Sequence, residues 1–366
     1  MYSDYDVKAV FLMLGPACNF HCKHCVQALG TPRIKKQITP DTLNYLAELG
    51  GKRNEENKIK LIFFGGEPFL YRPQMIEIVA ALGDIFNYSI ISNGSLVTDE
   101  DVVWLNENKI HLTLSNDGPL TDKVRDKNVL EDPILLERYL KIESKSIEAV
   151  HHSYSQDLFK VIHYFEEKLP GTPYYFDNLY CLDNVPSDYV SLDLNICKES
   201  SEKLVTEFLE NFKTKTFAPA TNLILPMIDD IEENLKALEN NELPSKLSCG
   251  ASKSHLNIDL QGNIYLCHNT SIIMGTIYDE YSTVRKKIID CFSKRHQQQL
   301  KDKSCASCDI APLCKGSCPL ETNSKLYLNA CNFKKIRWKL AFDVLEEIDI
   351  LIAKEKEKLL NEDTSL

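Results

Sequence analysis

The chain has 366 residues, of which 43% are hydrophobic and 26% charged, and its formal net charge is −11. This composition is ordinary for a globular protein of about two domains, and the acidic balance argues against general binding to nucleic-acid phosphates. The longest apolar runs, such as Leu61 to Phe64, are too short to cross a membrane. Because no signal peptide precedes the first strand-like segment, we expect a cytoplasmic protein.

The first 180 residues alternate between strand and helix patterns. The predicted strands are Val7 to Leu14, Lys58 to Phe64, Tyr88 to Ser92, Ile110 to Ser115, Ser146 to His151 and Tyr174 to Cys181. Helices begin at cap or proline signals at Thr39, Pro73 and Thr98. About six strand–helix units predict an α/β fold, a partial (β/α)6 barrel with its chemistry at the carboxyl ends of the strands.

The rest of the chain loses this alternation. Residues 182–245 have the pattern of helices and linker, and residues 246–366 predict a small cysteine-rich α+β domain with a long C-terminal helix, Phe333 to Leu360. We therefore predict three segments, residues 1–181, 182–245 and 246–366.

The thirteen cysteines are unevenly distributed. Three lie at positions 18 to 25 and seven between positions 249 and 331, whereas Cys181, Cys197 and Cys291 stand alone. A reducing compartment disfavours disulfides, so the two groups predict metal binding or catalysis.

The first cysteine group follows the first predicted strand and has the sequence CNFHCKHC. Cys18, Cys22 and Cys25 form a C-x3-C-x2-C motif. Three thiolates suit an iron–sulfur cluster in which one iron keeps an open coordination position. A structural zinc would need a fourth ligand, and the neighbouring His21 and His24 keep that alternative open.

A second motif, Gly65, Gly66, Glu67 and Pro68, follows the second predicted strand. Alone it could be a simple turn. After the cysteine loop, however, it resembles the radical S-adenosylmethionine (SAM) superfamily, whose cluster cleaves SAM to a 5′-deoxyadenosyl radical. The resemblance implies that the backbone carbonyls of this loop and Glu67 hold the SAM amino group. The residue types suit this role, because glycines expose the backbone and a carboxylate pairs with an ammonium.

The loops after the third and fourth strands extend the resemblance. Ser92 and Asn93 lie where the superfamily often contacts the SAM ribose, and Ser115 and Asp117 belong to a turn similar to the S-x-D-G-P turn of peptide-modifying members. Each motif is also an ordinary turn, so their order at successive strand ends carries the resemblance.

Two single residues complete the implied SAM site. Arg125 matches an arginine that often follows this turn, and the resemblance implies contact with the SAM carboxylate. His24 precedes the last cluster cysteine, where the family commonly has an aromatic residue near the adenine. An imidazole can stack in the same way.

The seven cysteines of the second group lie in the C-terminal part of the chain, with Gly262 five residues before the second of them, and four of them follow a C-x2-C-x5-C-x3-C spacing from Cys305 to Cys318. The seven are Cys249, Cys267, Cys305, Cys308, Cys314, Cys318 and Cys331. This set resembles a SPASM domain, an extension of radical SAM enzymes that binds auxiliary 4Fe–4S clusters. The resemblance implies one cluster on Cys305, Cys308, Cys314 and Cys331, and another on Cys249, Cys267 and Cys318. Zinc sites are the alternative.

Two residues near the second of these clusters remain open to interpretation. Its three thiolates leave a ligand unassigned, and Cys181, at the end of a strand, is the best candidate for it. His268 follows Cys267, where related enzymes place a base. We expect His268 either to accept a proton from the substrate or to donate a hydrogen bond to cluster sulfur.

The resemblance implies a maturase that oxidatively modifies a ribosomally made peptide, by a cross-link or a dehydrogenation. The alternatives are a sulfatase-type serine or cysteine oxidase and a haem- or cofactor-biosynthesis enzyme. The sulfatase type commonly has Asp where this chain has His268. A non-enzymatic electron carrier is a further alternative, against which the intact SAM motifs argue.

The implied cofactors are three 4Fe–4S clusters and SAM. The implied partners are a precursor peptide and a reducing donor of the flavodoxin or ferredoxin type. Met1 to Asp6 leave no room for a leader-binding domain, so we expect a separate leader-recognition protein or direct peptide contact. We expect no nucleic-acid or membrane partner.

Overall fold

The computed structural model describes residues 7–26, 37–180, 183, 185–216, 219–239, 254–302, 305–314, 316, 318–321 and 324–363. The strands are β1 (Ala9–Met13), β2 (Ile59–Phe64), β3 (Phe86–Ser92), β4 (His111–Ser115), β5 (Lys145–His151), β6 (Tyr174–Asn178), β7 (His255–Asp259), β8 (Asn263–Tyr265) and β9 (Ile273–Thr276). The helices are α1 (Pro40–Gly51), α2 (Arg72–Leu82), α3 (Asp99–Glu107), α4 (Thr121–Val124), α5 (Pro133–Lys141), α6 (Leu158–Lys168), α7 (Leu194–Thr214), α8 (Thr221–Glu239), α9 (Tyr281–Asp302), α10 (Ala311–Cys314) and α11 (Ser324–Asp363). None of the described helices combines the length and apolar character that a membrane crossing requires.

The strands form one sheet in the order β6-β5-β4-β3-β2-β1-β7-β8-β9. Strands β1 to β6 are parallel, and each lies beside its predecessor in the chain. Strand β7 also runs parallel to β1, with His255 opposite Ala9, and β8 and β9 continue antiparallel. The predicted α/β fold is confirmed, and the strands of the cysteine-rich segment extend the same sheet as the barrel strands.

Alternation along the barrel strands separates an apolar layer from a mixed one. In β5, Ile147 and Ala149 are fully buried in the main hydrophobic core, whereas Glu148 and Val150 line a cavity. Neighbouring side chains on a strand point to opposite faces. The strands therefore hold the helices on one face and present polar groups to the interior of the barrel on the other.

Local signals set the predicted helix starts. Thr39 caps α1 by accepting a hydrogen bond from the Thr42 N–H at 3.1 Å. Thr98 and Asp101 form a reciprocal capping box at α3, with distances of 2.8 and 3.2 Å.

The last helix differs from its prediction. Helix α11 begins at Ser324, nine residues before the predicted Phe333, so Cys331 lies within the helix. The extra turns are helical because Leu326 and Ala330 are buried with Phe333 in a second hydrophobic cluster that also includes Tyr189.

Helix α11 is attached to the edge strand β6 through Arg337. The guanidinium donates to the Phe176 carbonyl at 2.7 Å through Nη1 and to Asn178 Oδ1 through Nη2. Burial lowers the pKa of Arg337 to about 10, and nearby Asp177 opposes that effect. The C-terminal helix is thus held beside the end of β6.

We predict that Arg337→Met lowers the free energy of unfolding by about 1–3 kcal/mol, because a part-buried carbonyl and a side-chain amide lose their donor. Urea unfolding followed by circular dichroism measures the change. Lys339→Met is the matched control on the same helix, since it removes only a surface pair with Asp343 and should be nearly neutral. Equal stability of the two variants would contradict the role given to Arg337.

Candidate functional site

A cavity of about 780 Å³ opens at the carboxyl ends of the barrel strands. This volume lies in the upper part of the usual range for ligand sites. Its wall joins the cysteine loop, the strand ends, α8, α11 and the cysteine-rich segment. Lining residues include Cys18, Gly65, Asn93, Ser115, Tyr175, Asp177, Asn222, Met227, His268, Cys314, Lys334 and Trp338.

The three cysteines of the first motif all line this cavity. Burial raises the pKa of the Cys18 thiol and raises that of Cys22 to about 12, an effect that the nearby Arg125 charge opposes. Part-buried thiols of this kind become thiolates when a metal binds them. His21 pairs instead with Asp126, at 3.0 Å, and its side chain is 77% exposed. The donor set therefore fits an iron–sulfur cluster with one open position.

The loops after β1 and β2 approach each other closely. The Gly66 N–H donates to the Gly15 carbonyl and the Glu67 N–H donates to the Ala17 carbonyl, both at 2.8 Å. A Cβ on Gly66 would lie 2.2 Å from the Ala17 oxygen, and Gly65 has a φ of +146°. Glycine suits both positions, because Gly66 has no room for a side chain and Gly65 has a backbone angle that other residues rarely adopt. The two glycines thus allow the β2 loop to lie against the cysteine loop.

Glu67 is fully buried beside this loop. Its Oε1 accepts hydrogen bonds from the Phe69 N–H at 3.0 Å and the Ser92 hydroxyl at 2.7 Å, and Oε2 accepts from the Asn93 N–H at 2.9 Å. Burial raises the pKa of Glu67, and these donors oppose the rise. Glu67 therefore braces the β2 loop against the end of β3, next to Gly66 and Ser92, which line the cavity. Its Oε2 accepts one hydrogen bond and has the capacity for another.

Asn93 connects this brace to the cysteine loop. Its side-chain amide donates to Asn19 Oδ1 at 3.0 Å and approaches Cys18 Sγ at 3.9 Å. Ser92, Asn93 and Ser115 all line the cavity, whereas Pro68 is buried at the start of a helical turn. Seven of the ten residues predicted to contact SAM thus line one cavity, whereas Glu67, Pro68 and Asp117 do not.

The acidic residue of the fourth loop pairs with the predicted carboxylate-binding arginine. Arg125 donates to Asp117 through Nε at 2.7 Å and through Nη2 at 3.2 Å. Arg125 lines the cavity, and Asp117 is buried behind it. His24 also lines the cavity and is buried against His152, with ring centroids 5.8 Å apart.

His268 lies in the cavity wall between two aromatic rings. It stacks on Phe11 with centroids 4.1 Å apart and meets the Phe64 ring edge-on at 4.8 Å. Its Nδ1 is 3.3 Å from Asn257 Oδ1 and 3.9 Å from Cys267 Sγ. Burial lowers the pKa of His268 to about 3, so the ring is neutral at physiological pH. Its role as a base stays a prediction.

The C-terminal cysteines contribute to the same cavity. Cys267, Cys314 and Cys318 line it, Cys305 and Cys308 lie on a short turn nearby in sequence, and Cys331 is on α11. Cys249 and Cys181, with the ligand roles predicted for them, lie outside the described residues.

Sequence reasoning missed two carboxylates on the inner faces of β5 and β6. Glu148 is opposite Ser115 and Tyr175 in the strand register, and Asp177 follows Tyr175 by two residues. Burial, followed by the charge of Asp177, raises the pKa of Glu148 to about 7. The available sequence signal was Glu148 itself, a charged residue between the apolar Ile147 and Ala149 within a predicted strand.

Several known proteins resemble this chain. Residues 12–135 match the Radical SAM superfamily. The cysteine-type anaerobic sulfatase-maturating enzyme of Clostridium perfringens is 24% identical over 351 residues, which cover 86% of this chain and 90% of that protein.

Solved structures that share the fold have low sequence identity to this chain. Native anSMEcpe with bound AdoMet (SAM) matches with a TM-score of 0.64 at 20% identity, over 93% of this chain and 98% of that chain. SuiB of Streptococcus suis, bound to its precursor peptide SuiA, matches with a TM-score of 0.55 at 15% identity, over 85% of this chain and 72% of that chain.

We predict that Glu67→Gln weakens SAM binding roughly ten- to hundredfold, because a charged hydrogen bond to the ammonium is lost. Isothermal titration of the anaerobically reconstituted protein measures the affinity. Tyr139→Phe is the control, since the Tyr139 hydroxyl is buried beside Glu67 without a hydrogen-bond partner among the described residues. Unchanged SAM affinity in Glu67→Gln, with iron content intact, would leave Glu67 a structural brace only.

Proposed function

We propose that this chain, which carries a radical SAM domain as its N-terminal motifs predict, oxidatively modifies a ribosomally made peptide. The cavity is the observation that carries the proposal. It extends from Cys18 to Cys267 and Cys314 and is walled by barrel strands, α8 and α11 together. A volume of about 780 Å³ leaves room for a peptide side chain beside SAM.

The residues of the barrel fit the cofactors that the family implies. Cys18, Cys22 and Cys25 would hold the 4Fe–4S cluster. The residues proposed to bind SAM are His24, Gly65, Gly66, Glu67, Ser92, Asn93, Ser115 and Arg125. When bound, these cofactors supply a 5′-deoxyadenosyl radical that removes a hydrogen atom from a substrate carbon. The protein positions the reacting groups and excludes water.

The cysteine-rich segment supports an oxidative outcome. We propose that its cysteines hold two auxiliary 4Fe–4S clusters in the sets that the SPASM resemblance implies. Oxidation of a substrate radical requires an electron acceptor, and Cys267, Cys314 and Cys318 line the same cavity as the cysteine loop. A flavodoxin- or ferredoxin-type donor and a leader-recognition protein are the proposed protein partners.

The lining suits a peptide. It combines rings, such as Tyr175 and Trp338, with the charged side chains of Glu148, Asp177 and Lys334. Aromatic surfaces bind side chains of many shapes, and fixed charges orient a polar backbone. SuiB, which shares the fold, has been solved with a precursor peptide, and this likeness supports the same substrate class.

The second candidate function is a sulfatase-type serine or cysteine oxidase. The near full-length match to the Clostridium perfringens enzyme favours it. His268, in place of the expected Asp, argues against it. A haem- or cofactor-biosynthesis role has no specific feature of the cavity in its favour.

The function is tested with peptides encoded beside the gene, incubated anaerobically with the reconstituted enzyme, SAM and dithionite. We expect a product lighter by about two daltons, with one 5′-deoxyadenosine per product. Deuterium at the attacked carbon should be recovered in the nucleoside. A peptide of unchanged mass would contradict the oxidative proposal, and a product that reacts with hydrazides would identify the serine or cysteine oxidase instead.

A second prediction concerns iron. Three 4Fe–4S clusters require about twelve irons per chain. Replacing Cys18, Cys22 and Cys25 with Ala should remove about a third of this iron and abolish SAM cleavage. Cys197→Ala is the control, because this buried thiol belongs to neither motif. Stoichiometric zinc in anaerobically purified protein would refute the cluster assignment.

A further inference from the structure

Asp117 is the centre of a buried network behind the cavity wall. Its carboxylate accepts the two bonds from Arg125 and a third from the Val150 N–H at 2.8 Å. His152 Nε2 is 3.7 Å from Asp117 Oδ2, and both side chains are fully buried. Burial alone would raise the pKa of Asp117, but Arg125 and then His152 hold it well below its ordinary value. The carboxylate is therefore ionised and connects β4 to the end of β5.

The tautomer of His152 follows from its other ring nitrogen. Nδ1 accepts a hydrogen bond from the Tyr154 N–H at 3.2 Å and lies 3.4 Å from the Ser155 hydroxyl. A neutral imidazole that accepts at Nδ1 carries its proton on Nε2. Among the described residues Nε2 has no hydrogen-bond partner within bonding distance. The Asp117 carboxylate, at 3.7 Å, is an acceptor that the Nε2–H can approach.

The same residues do not suit a metal ion. Donor atoms of His24, Asp117 and His152 lie within 4.8 Å of one another, all three residues being buried. Both carboxylate oxygens of Asp117 already receive bonds from the Arg125 guanidinium. A divalent cation on Asp117 would be repelled by the guanidinium charge and would have to displace the guanidinium from the carboxylate. The group is therefore a row of polar side chains that runs from His152 through Asp117 to Arg125.

The orientation of the Arg125 guanidinium depends on Asp117, which His152 contacts. Glu148 is a second carboxylate near Arg125 and interacts with its charge. If Asp117 were displaced, the guanidinium could turn towards Glu148 instead. A guanidinium recognises a carboxylate by its fixed planar fork, so a small rotation costs affinity.

We propose that His152 is a positioning residue for SAM. Through its Nε2–H it orients Asp117, and through Asp117 it holds the Arg125 guanidinium towards the cavity, where it receives the SAM carboxylate. The inference rests on the SAM site of the proposed function and is independent of the peptide substrate, so it stands if the peptide proposal fails.

The test compares His152→Phe, which keeps a ring against Tyr189 and His24, with His152→Gln, whose amide can place an N–H at the Nε2 position. His151→Phe is the matched control on the adjacent residue. The His151 ring meets Phe333 edge-on at 4.8 Å, and neither of its nitrogens has a hydrogen-bond partner among the described residues. Each reconstituted variant is titrated with SAM and with 5′-methylthioadenosine, which lacks the amino-acid carboxylate.

We expect His152→Phe to weaken SAM binding roughly tenfold and to leave 5′-methylthioadenosine binding within about twofold. The electron paramagnetic resonance signal of the reduced cluster should respond less to added SAM. His152→Gln should restore most of the affinity, and His151→Phe should match the parent protein. Unchanged SAM affinity in His152→Phe would overturn the proposal, and so would an equal loss for both ligands.

If His152→Phe loses iron, the comparison is made instead between His152→Gln and His152→Asn. Gln reaches the Nε2 position of the histidine, whereas Asn reaches only the Nδ1 position. The proposal requires SAM to bind more tightly to His152→Gln than to His152→Asn. Equal affinities would show that the contact of the Nε2–H with Asp117 has no part in orienting Arg125.

Discussion

Two backbone hydrogen bonds join the loop after β1 to the loop after β2, from Gly66 to Gly15 and from Glu67 to Ala17, both at 2.8 Å. The loops can approach this closely because Gly66 has no Cβ, which would clash with the Ala17 carbonyl oxygen. The other contacts at this end of the barrel depend on the close packing of these two loops. Glu67, placed by it, accepts the bonds from Ser92 and Asn93.

The connections continue around the strand ends. Asn93 reaches back to Asn19 in the cysteine loop, and the His21 N–H donates to Asp126 at 2.8 Å, beyond the end of β4. Asp117 then joins β4 to β5 through Val150. Each loop is thus held by its neighbour, and the cysteine loop is held from both sides. Such a preorganised ring can bind a cluster and a cosubstrate without first ordering itself.

The features that the sequence predicted are those with local causes. The strands alternate, Thr39 and Thr98 cap helices with residues three positions away, and the cysteine spacing is readable directly. The pairing of β7 with β1 was not predictable in this way, because it joins residues that are 246 positions apart, such as Ala9 and His255. The location of His268 between Phe11 and Phe64 depends on the same pairing, so its sequence position beside Cys267 could not reveal its neutral, stacked state.

Three carboxylates near the strand ends differ in how many hydrogen bonds they accept from the protein. Glu67 and Asp117 each accept three or more hydrogen bonds from the protein. Glu148 accepts none through its carboxylate from the described residues, although it lines the same cavity and its pKa is raised to about 7. Buried carboxylates that accept several bonds join the loops that supply the donors. A ligand that brings a positive charge or an N–H to the cavity would favour the ionised form of Glu148, so this residue is the one whose charge responds to what the cavity binds.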